Sequence, residues 1–214
     1  GEEALENLTW IRFNISAATY KDYIRIHASK DFDKAVEKIK FCVATKKKKN
    51  LPLTVGLQMV LTPENVHQAV PLAILGKELG VDYTVIKQCS DTIMNEIGVY
   101  NRLDTYQQFT DVLKEAEAHT EGEYNVIVKW DKIQNEGKRN YDQCLGAPFL
   151  LYSSGDGKLY TCGDFFDGDK EEPYRLGDLV EHSFKELIES EQYWNVINKV
   201  YNCINVHKEC YTNC

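Results

Sequence analysis

At 214 residues, 43% hydrophobic and 11% aromatic, the chain is long enough to bury a core and reads as one large or two modest globular domains. Its 25 basic and 33 acidic residues leave a net charge of -8, which repels phosphate backbones and disfavours nucleic acid as a partner. No apolar run approaches the roughly 18 residues that span a bilayer, and Gly1-Glu2-Glu3-Ala4 lacks the charged and apolar regions of a signal peptide. A cytoplasmic protein without a membrane partner is expected.

Trp10 to Ser16 mixes β-branched and aromatic residues over a strand length. From Asp31 to about Lys48, Phe32, Ala35, Val36, Ile39 and Val43 recur at helical spacing, with Lys46 to Lys49 as its solvated end. Leu53 to Leu61 is apolar at successive positions, as in a strand covered on both faces. Thr62-Pro63-Glu64 then has the character of a helix start, with a kink or late start expected at Pro71 and a stop at Gly80. Val81 to Lys87 is a third buried strand. Strands and helices alternating over short connections predict a parallel sheet. Asp104 to about His119 reads as a helix and Tyr124 to Ile133 as a strand, and the polar stretch Asn135 to Gln143 is the best boundary. Beyond it, Phe149 to Ser153 and Lys158 to Cys162 flank a glycine-rich turn and predict a hairpin, followed by one helix from Ser183 to about Asn202.

Five of the seven cysteines, Cys144, Cys162, Cys203, Cys210 and Cys214, fall in the last 71 residues. In a cytosolic chain such thiols are more often buried, metal-bound or catalytic than disulfide-paired. Antiparallel pairing would bring the outer ends of the hairpin, and so Cys144 and Cys162, together. Cys210 and Cys214 share one side of a helical turn, with Cys203 seven residues earlier. Four such thiolates suit either a tetrahedral zinc or a 4Fe-4S cluster, and spacing does not choose between them. Cys42 reads as core, Cys89 as a small buried thiol and His207 as a surface or supporting group.

The run Cys144, twelve residues, Gly157, four residues, Cys162 resembles the opening of the SPASM and twitch domains that follow many radical SAM barrels. Similar too are Tyr160-Thr161-Cys162-Gly163, Leu176-Gly177-Asp178-Leu179 with Ser183-Phe184-Lys185-Glu186-Leu187, and Cys210-Tyr211-Thr212-Asn213-Cys214. The first half is similar to the later strands of the partial barrel, with Trp10 to Ser16 as its fourth strand, Thr54 to Leu61 its fifth and Tyr83 to Lys87 its sixth. The resemblance implies an α/β fold, with the later half of a TIM-like barrel over residues 1–134. A small α+β hairpin-and-helix domain, over 135–214, would then hold an auxiliary 4Fe-4S cluster on Cys144, Cys162, Cys210 and Cys214, with Cys203 as substitute. The family's CxxxCxxC motif, which leaves one iron open to S-adenosylmethionine (AdoMet), is absent from these residues.

By the same resemblance, AdoMet would lie across the carboxyl ends of the strands, near Asn14, Ser16, Gln58, Lys87 and Gln88. The implied activity is hydrogen abstraction from a peptide, sugar or protein side chain. An electron donor such as ferredoxin or flavodoxin would serve the complete enzyme, of which this stretch would be an inactive part. The competing reading is a zinc-stabilised α/β binding module with a structural four-cysteine site. Reversible thiol pairing among Cys203, Cys210 and Cys214 is a third.

Overall fold

The alternation of buried strands with amphipathic helices is realised as a four-stranded parallel sheet in order β1-β2-β3-β4. The computed structural model describes residues 1–90, 106–134, 139–166 and 168–210. These fall into two compact units, 1–89 with 106–134 in one and 139–166 with 168–210 in the other.

In the first unit, helix α1 (Glu2–Glu6) precedes β1 (Trp10–Asn14), α2 (Tyr20–His27) and α3 (Phe32–Lys49). Then come β2 (Thr54–Leu61), α4 (Ala69–Leu79), β3 (Tyr83–Gln88), α5 (Thr110–Glu117), β4 (Asn125–Val128) and α6 (Trp130–Gln134). The pairings are all parallel, with Asn14 opposite Gln58, Val60 opposite Lys87 and Ile86 opposite Val128. Successive side chains of a strand point to opposite faces. Val55, Leu57, Met59 and Leu61 are each 0% exposed and form the centre of the core that α3, α4 and α5 cover. On the other face Trp10 and Ile127, in the outer strands, are 58% and 41% exposed, whereas Gln58 and Val85 between them are buried; this less covered side is the open face.

Helix α4 is held to β3 by a buried polar contact. The Tyr124 hydroxyl donates to the Ala73 carbonyl at 2.7 Å and is hydrogen-bonded to Thr84 Oγ1 at 2.8 Å. Gly76 makes room for both, since a Cβ there would lie 2.4 Å from Thr84 Oγ1 and 2.6 Å from the Tyr124 hydroxyl.

The helix expected to start at Thr62 starts later, at Ala69. Asn65 accepts from the Thr62 N–H at 2.8 Å and donates to the Val60 carbonyl, which makes a turn of Thr62 to Asn65, and one 3₁₀ turn, Val66–Gln68, follows. Pro71 sits in the first turn of α4, where its missing N–H costs nothing. The strand expected over Tyr124 to Ile133 is only four residues, because α6 begins at Trp130 and the Trp130 indole donates to Glu117 at 2.8 Å. The helix expected from Asp104 is described from Tyr106, with α5 starting at Thr110.

In the second unit, β5 (Tyr152–Ser153), β6 (Lys158–Tyr160) and β7 (Gly177–Asp178) form an antiparallel sheet in that order. Gly157, at φ +89°, occupies the left-handed position of the turn joining β5 to β6. Helices α7 (Phe184–Glu189), α8 (Glu191–Cys203) and α9 (Val206–Glu209) complete a second core around Leu159, Leu176, Tyr193, Ile197 and Val200. The single helix expected from Ser183 is two. Ser190 sits in extended conformation between them, donating its hydroxyl to the Leu187 carbonyl at 2.7 Å and accepting from the Tyr193 N–H at 3.2 Å. Ser183 caps α7 in a reciprocal box with Glu186.

Candidate functional site

The carboxyl ends of β1, β2 and β3 bring Asn14, Ser16, Gln58 and Lys87 to one end of the first unit. Asn14 is exposed and faces Gln58 in register. Gln58 is only 8% exposed, and its Oε1 is buried without a hydrogen-bond partner. An unsatisfied buried acceptor is costly, of order 1–3 kcal/mol, unless something donates to it. Ser16 is buried, and its hydroxyl accepts from the Val60 N–H at 3.2 Å while its own N–H donates to His27 Nε2 at 2.9 Å. That hydroxyl therefore ties β1 to β2.

Lys87 and Gln88 are neighbours on β3 and so point to opposite faces. Gly56 and Tyr83 mark the open face, because a Cβ on Gly56 would enter the Tyr83 ring at 2.2 Å; Thr84, beside Gly76 of α4, marks the helix-covered one. By alternation Lys87 belongs to the open face and Gln88 to the covered one, where Gln88 is 6% exposed with its Oε1 buried and without a partner. Burial pushes the Lys87 ammonium below its usual range, and the positive charges of Lys132 and Arg12 push the same way.

Beside this end lies a polar cluster that sequence reasoning passed over. Asp22 Oδ1 accepts from Arg25 Nη2 at 3.2 Å and meets His67 Nε2 at 3.3 Å, and its Oδ2 accepts from Gln68 Nε2 at 3.0 Å. Hydrogen bonds, that from Thr19 foremost, hold the Asp22 carboxyl below its usual range. The readable signal was Thr19 three residues before Asp22, the spacing of a helix cap, and Thr19 does cap α2.

In the second unit a cavity of about 160 Å³ is lined by Cys144, Cys162 and Cys210 together with Thr161, Tyr141 and Val206. Cys162 lies two residues beyond the end of β6. Cys144 comes by another route than the expected one, for β5 is only two residues long and Tyr152 pairs with Tyr160, so Cys144 lies outside the ladder. Turns over Leu145 to Phe149, with the Phe149 and Leu150 N–H groups donating to the Gly146 carbonyl, carry it to the cavity. Cys210 ends α9, and its carbonyl accepts from the Arg139 guanidinium. Thr161, next to Cys162, is 4% exposed and its Oγ1 has no partner.

Cys203 is exposed at the end of α8 and does not line this cavity, and Cys214 lies outside the described residues. His207 is exposed and bonded to Asp142 at 2.9 Å. Cys42 is buried, which raises its thiol pKa, and Cys89 packs against the first core. Among the described residues no three His, Cys, Asp or Glu side chains meet as a site for a single metal ion. A larger cavity, of about 490 Å³, is bordered by Asp178, Glu181, His182 and Glu186, but Glu186 is committed to the α7 cap and Asp178 to the Val180 N–H. No described helix is long and apolar enough to cross a membrane.

No family model and no curated protein matches the sequence. Solved structures do match in fold, among them the following two. Native anSMEcpe with bound AdoMet superposes with a TM-score of 0.57 at 16% identity, over 94% of this chain and 57% of that one. Its histidine-tagged form, also with bound AdoMet, gives 0.56 at 16% identity, over 94% and 54%. This chain thus spans little more than half the length of those proteins, and it shares with them its α/β fold with the four-stranded parallel sheet.

Proposed function

We propose that these residues are the later part of a radical SAM enzyme, with residues 1–134 contributing to a partial barrel and 135–214 forming a twitch- or SPASM-like auxiliary domain. The observation that carries the finer reading is the gathering of Cys144, Cys162 and Cys210, from three separate segments, around one cavity. A 4Fe-4S cluster suits sulfurs disposed around a cavity because each thiolate ligates a different iron, whereas one zinc draws four donors to about 2.3 Å. Cys214 is the proposed fourth ligand, with Cys203 its substitute. Such a cluster supplies electron transfer or a hold on substrate. The protein's part there is to exclude water with Tyr141 and Val206 and to offer the unpaired Thr161 hydroxyl to a sulfur.

In the first unit, AdoMet supplies hydrogen abstraction when bound and reductively cleaved. Asn14 and Gln58, adjacent in register on the open face, fit its polar groups, and the orphaned Gln58 Oε1 would accept from a ligand N–H or O–H. Ser16 contributes by fixing the end of β1. Lacking CxxxCxxC, this stretch alone would bind AdoMet weakly and would not turn over.

Anaerobic reconstitution with ferrous iron and sulfide tests the cluster. Brown colour with iron and acid-labile sulfide is expected, and Cys144→Ala or Cys162→Ala should abolish iron incorporation. Colourless protein carrying stoichiometric zinc would favour the structural four-cysteine module instead.

A further inference from the structure

The open face of the first unit's sheet has a charge bias opposite to that of the chain. Acids outnumber bases 33 to 25 overall, yet none of the four strands contains an Asp or Glu. On that face β1 carries Arg12 and β3 carries Lys87, and Lys129 directly follows β4, its N–H donating to the Ile86 carbonyl at 2.9 Å and so extending the ladder beside Lys87. Among the described residues none of these three cations is in an ion pair. Arg12 instead stacks over the Trp10 ring at 5.5 Å. Lys87 is half-buried with the positive charges of Lys132 and Arg12 acting on it, so it is held at a cost, and such arrangements mark sites that receive an opposite charge.

We infer that Arg12, Lys87 and Lys129 seat carboxylates of an acidic substrate chain, the two lysines taking one carboxylate and Arg12 a second. The assignment of the ligand as substrate rests on the proposed function. Register spreads the backbone positions of these residues along the sheet. Arg12 lies level with Gly56 and Lys87 level with Val60, four residues along β2, or about 13 Å at the rise of a strand. At Lys87, which stands in β3 between β2 and β4, the backbone is engaged in the ladder, so the free N–H groups on which phosphate sites draw are lacking there and a carboxylate is favoured.

The test is a chemical-shift titration of the whole chain with tetraglutamate, with tetraglutamine and inorganic phosphate as controls. Tetraglutamate should shift the resonances of β1, β3 and Lys129. Lys87→Gln, Lys129→Gln and Arg12→Gln should each weaken it about tenfold, the equivalent of one charge-assisted hydrogen bond. Lys114→Gln, an equal charge change on the exposed side of α5, should leave it unchanged. Unaltered thermal unfolding of Lys129→Gln, an exposed position, secures the comparison against misfolding. Binding by all three variants as tight as by the unaltered protein, or phosphate binding more tightly than tetraglutamate at the same residues, would overturn the inference. So would a parallel loss of AdoMet binding in Lys87→Gln, which would give that lysine to the cofactor. If AdoMet shifts nothing on this face while tetraglutamate still binds through Lys87, the cofactor reading fails and the carboxylate seat stands.

Discussion

Replacing Gly76 by alanine sets two effects of opposite sign against each other. In an exposed helix interior the change would stabilise by about 1 kcal/mol through helix propensity. Here the new methyl would stand 2.4 Å from Thr84 Oγ1 and 2.6 Å from the Tyr124 hydroxyl, two groups bonded to each other and buried between α4 and β3. Neither is the loose end of a flexible side chain. Relief requires α4 to lift or the Tyr124 bonds to Ala73 and Thr84 to break, at about 1–3 kcal/mol for overpacking plus about 1 kcal/mol for each lost bond. A net loss of about 1–3 kcal/mol is expected, or roughly 2–12 °C in Tm at about 2–4 °C per kcal/mol. Urea and thermal unfolding of Gly76→Ala, Thr84→Ala and the double variant would measure it. Because Thr84→Ala removes the closest contact, the double variant should lose less than the sum of the two. A neutral or stabilised Gly76→Ala, or strict additivity, would show that α4 does not pack on β3 in this way. The placing of Lys87 at the end of β3 would then be in question too.

Two further outcomes follow from single groups. Burial keeps the His27 imidazole neutral, its pKa below the ordinary value of about 6.5, while its Nε2 accepts from the Ser16 N–H. The stability it contributes is complete above that ordinary value and is lost as pH falls from there towards the depressed folded value, where both states bind the proton. Urea unfolding from pH 8 to 5 should show this decline in the native protein and a flatter one in His27→Gln; identical slopes would refute the role. Thr161→Val removes a buried hydroxyl that has no partner, so the metal-free protein should be stabilised by about 1 kcal/mol or left unchanged. A loss above about 1 kcal/mol in thermal unfolding would mean that the hydroxyl is bonded after all.

Much of this architecture could be read from local pattern. The apolar run Leu53 to Leu61 needed cover on both sides, and a β2 flanked by parallel partners and helices is the arrangement that provides it. The turn around Gly157 was legible because the left-handed backbone it uses is open to glycine at little cost. Cys144 and Cys162 could be paired as candidates from the same turn. What pattern could not convey is where weak local preferences yield to packing. Ser190 could have continued a helix, but its hydroxyl bonds to Leu187 and Tyr193 broke it in two. Spacing favoured Cys210 over Cys203 only through its four-residue step to Cys214. Tertiary packing separated them, since Ile204 rather than Cys203 continues the buried stripe of Tyr193, Val196, Ile197 and Val200, while Cys210 is carried by α9 to the cavity. Likewise the sequence by itself determined that Lys87 and Gln88 would point apart, through the two-residue period of a strand. Only the sheet's register decided that Lys87 would share an acid-free face with Arg12 and Lys129, because residues distant in the chain become neighbours through long-range hydrogen bonding, which no local window contains.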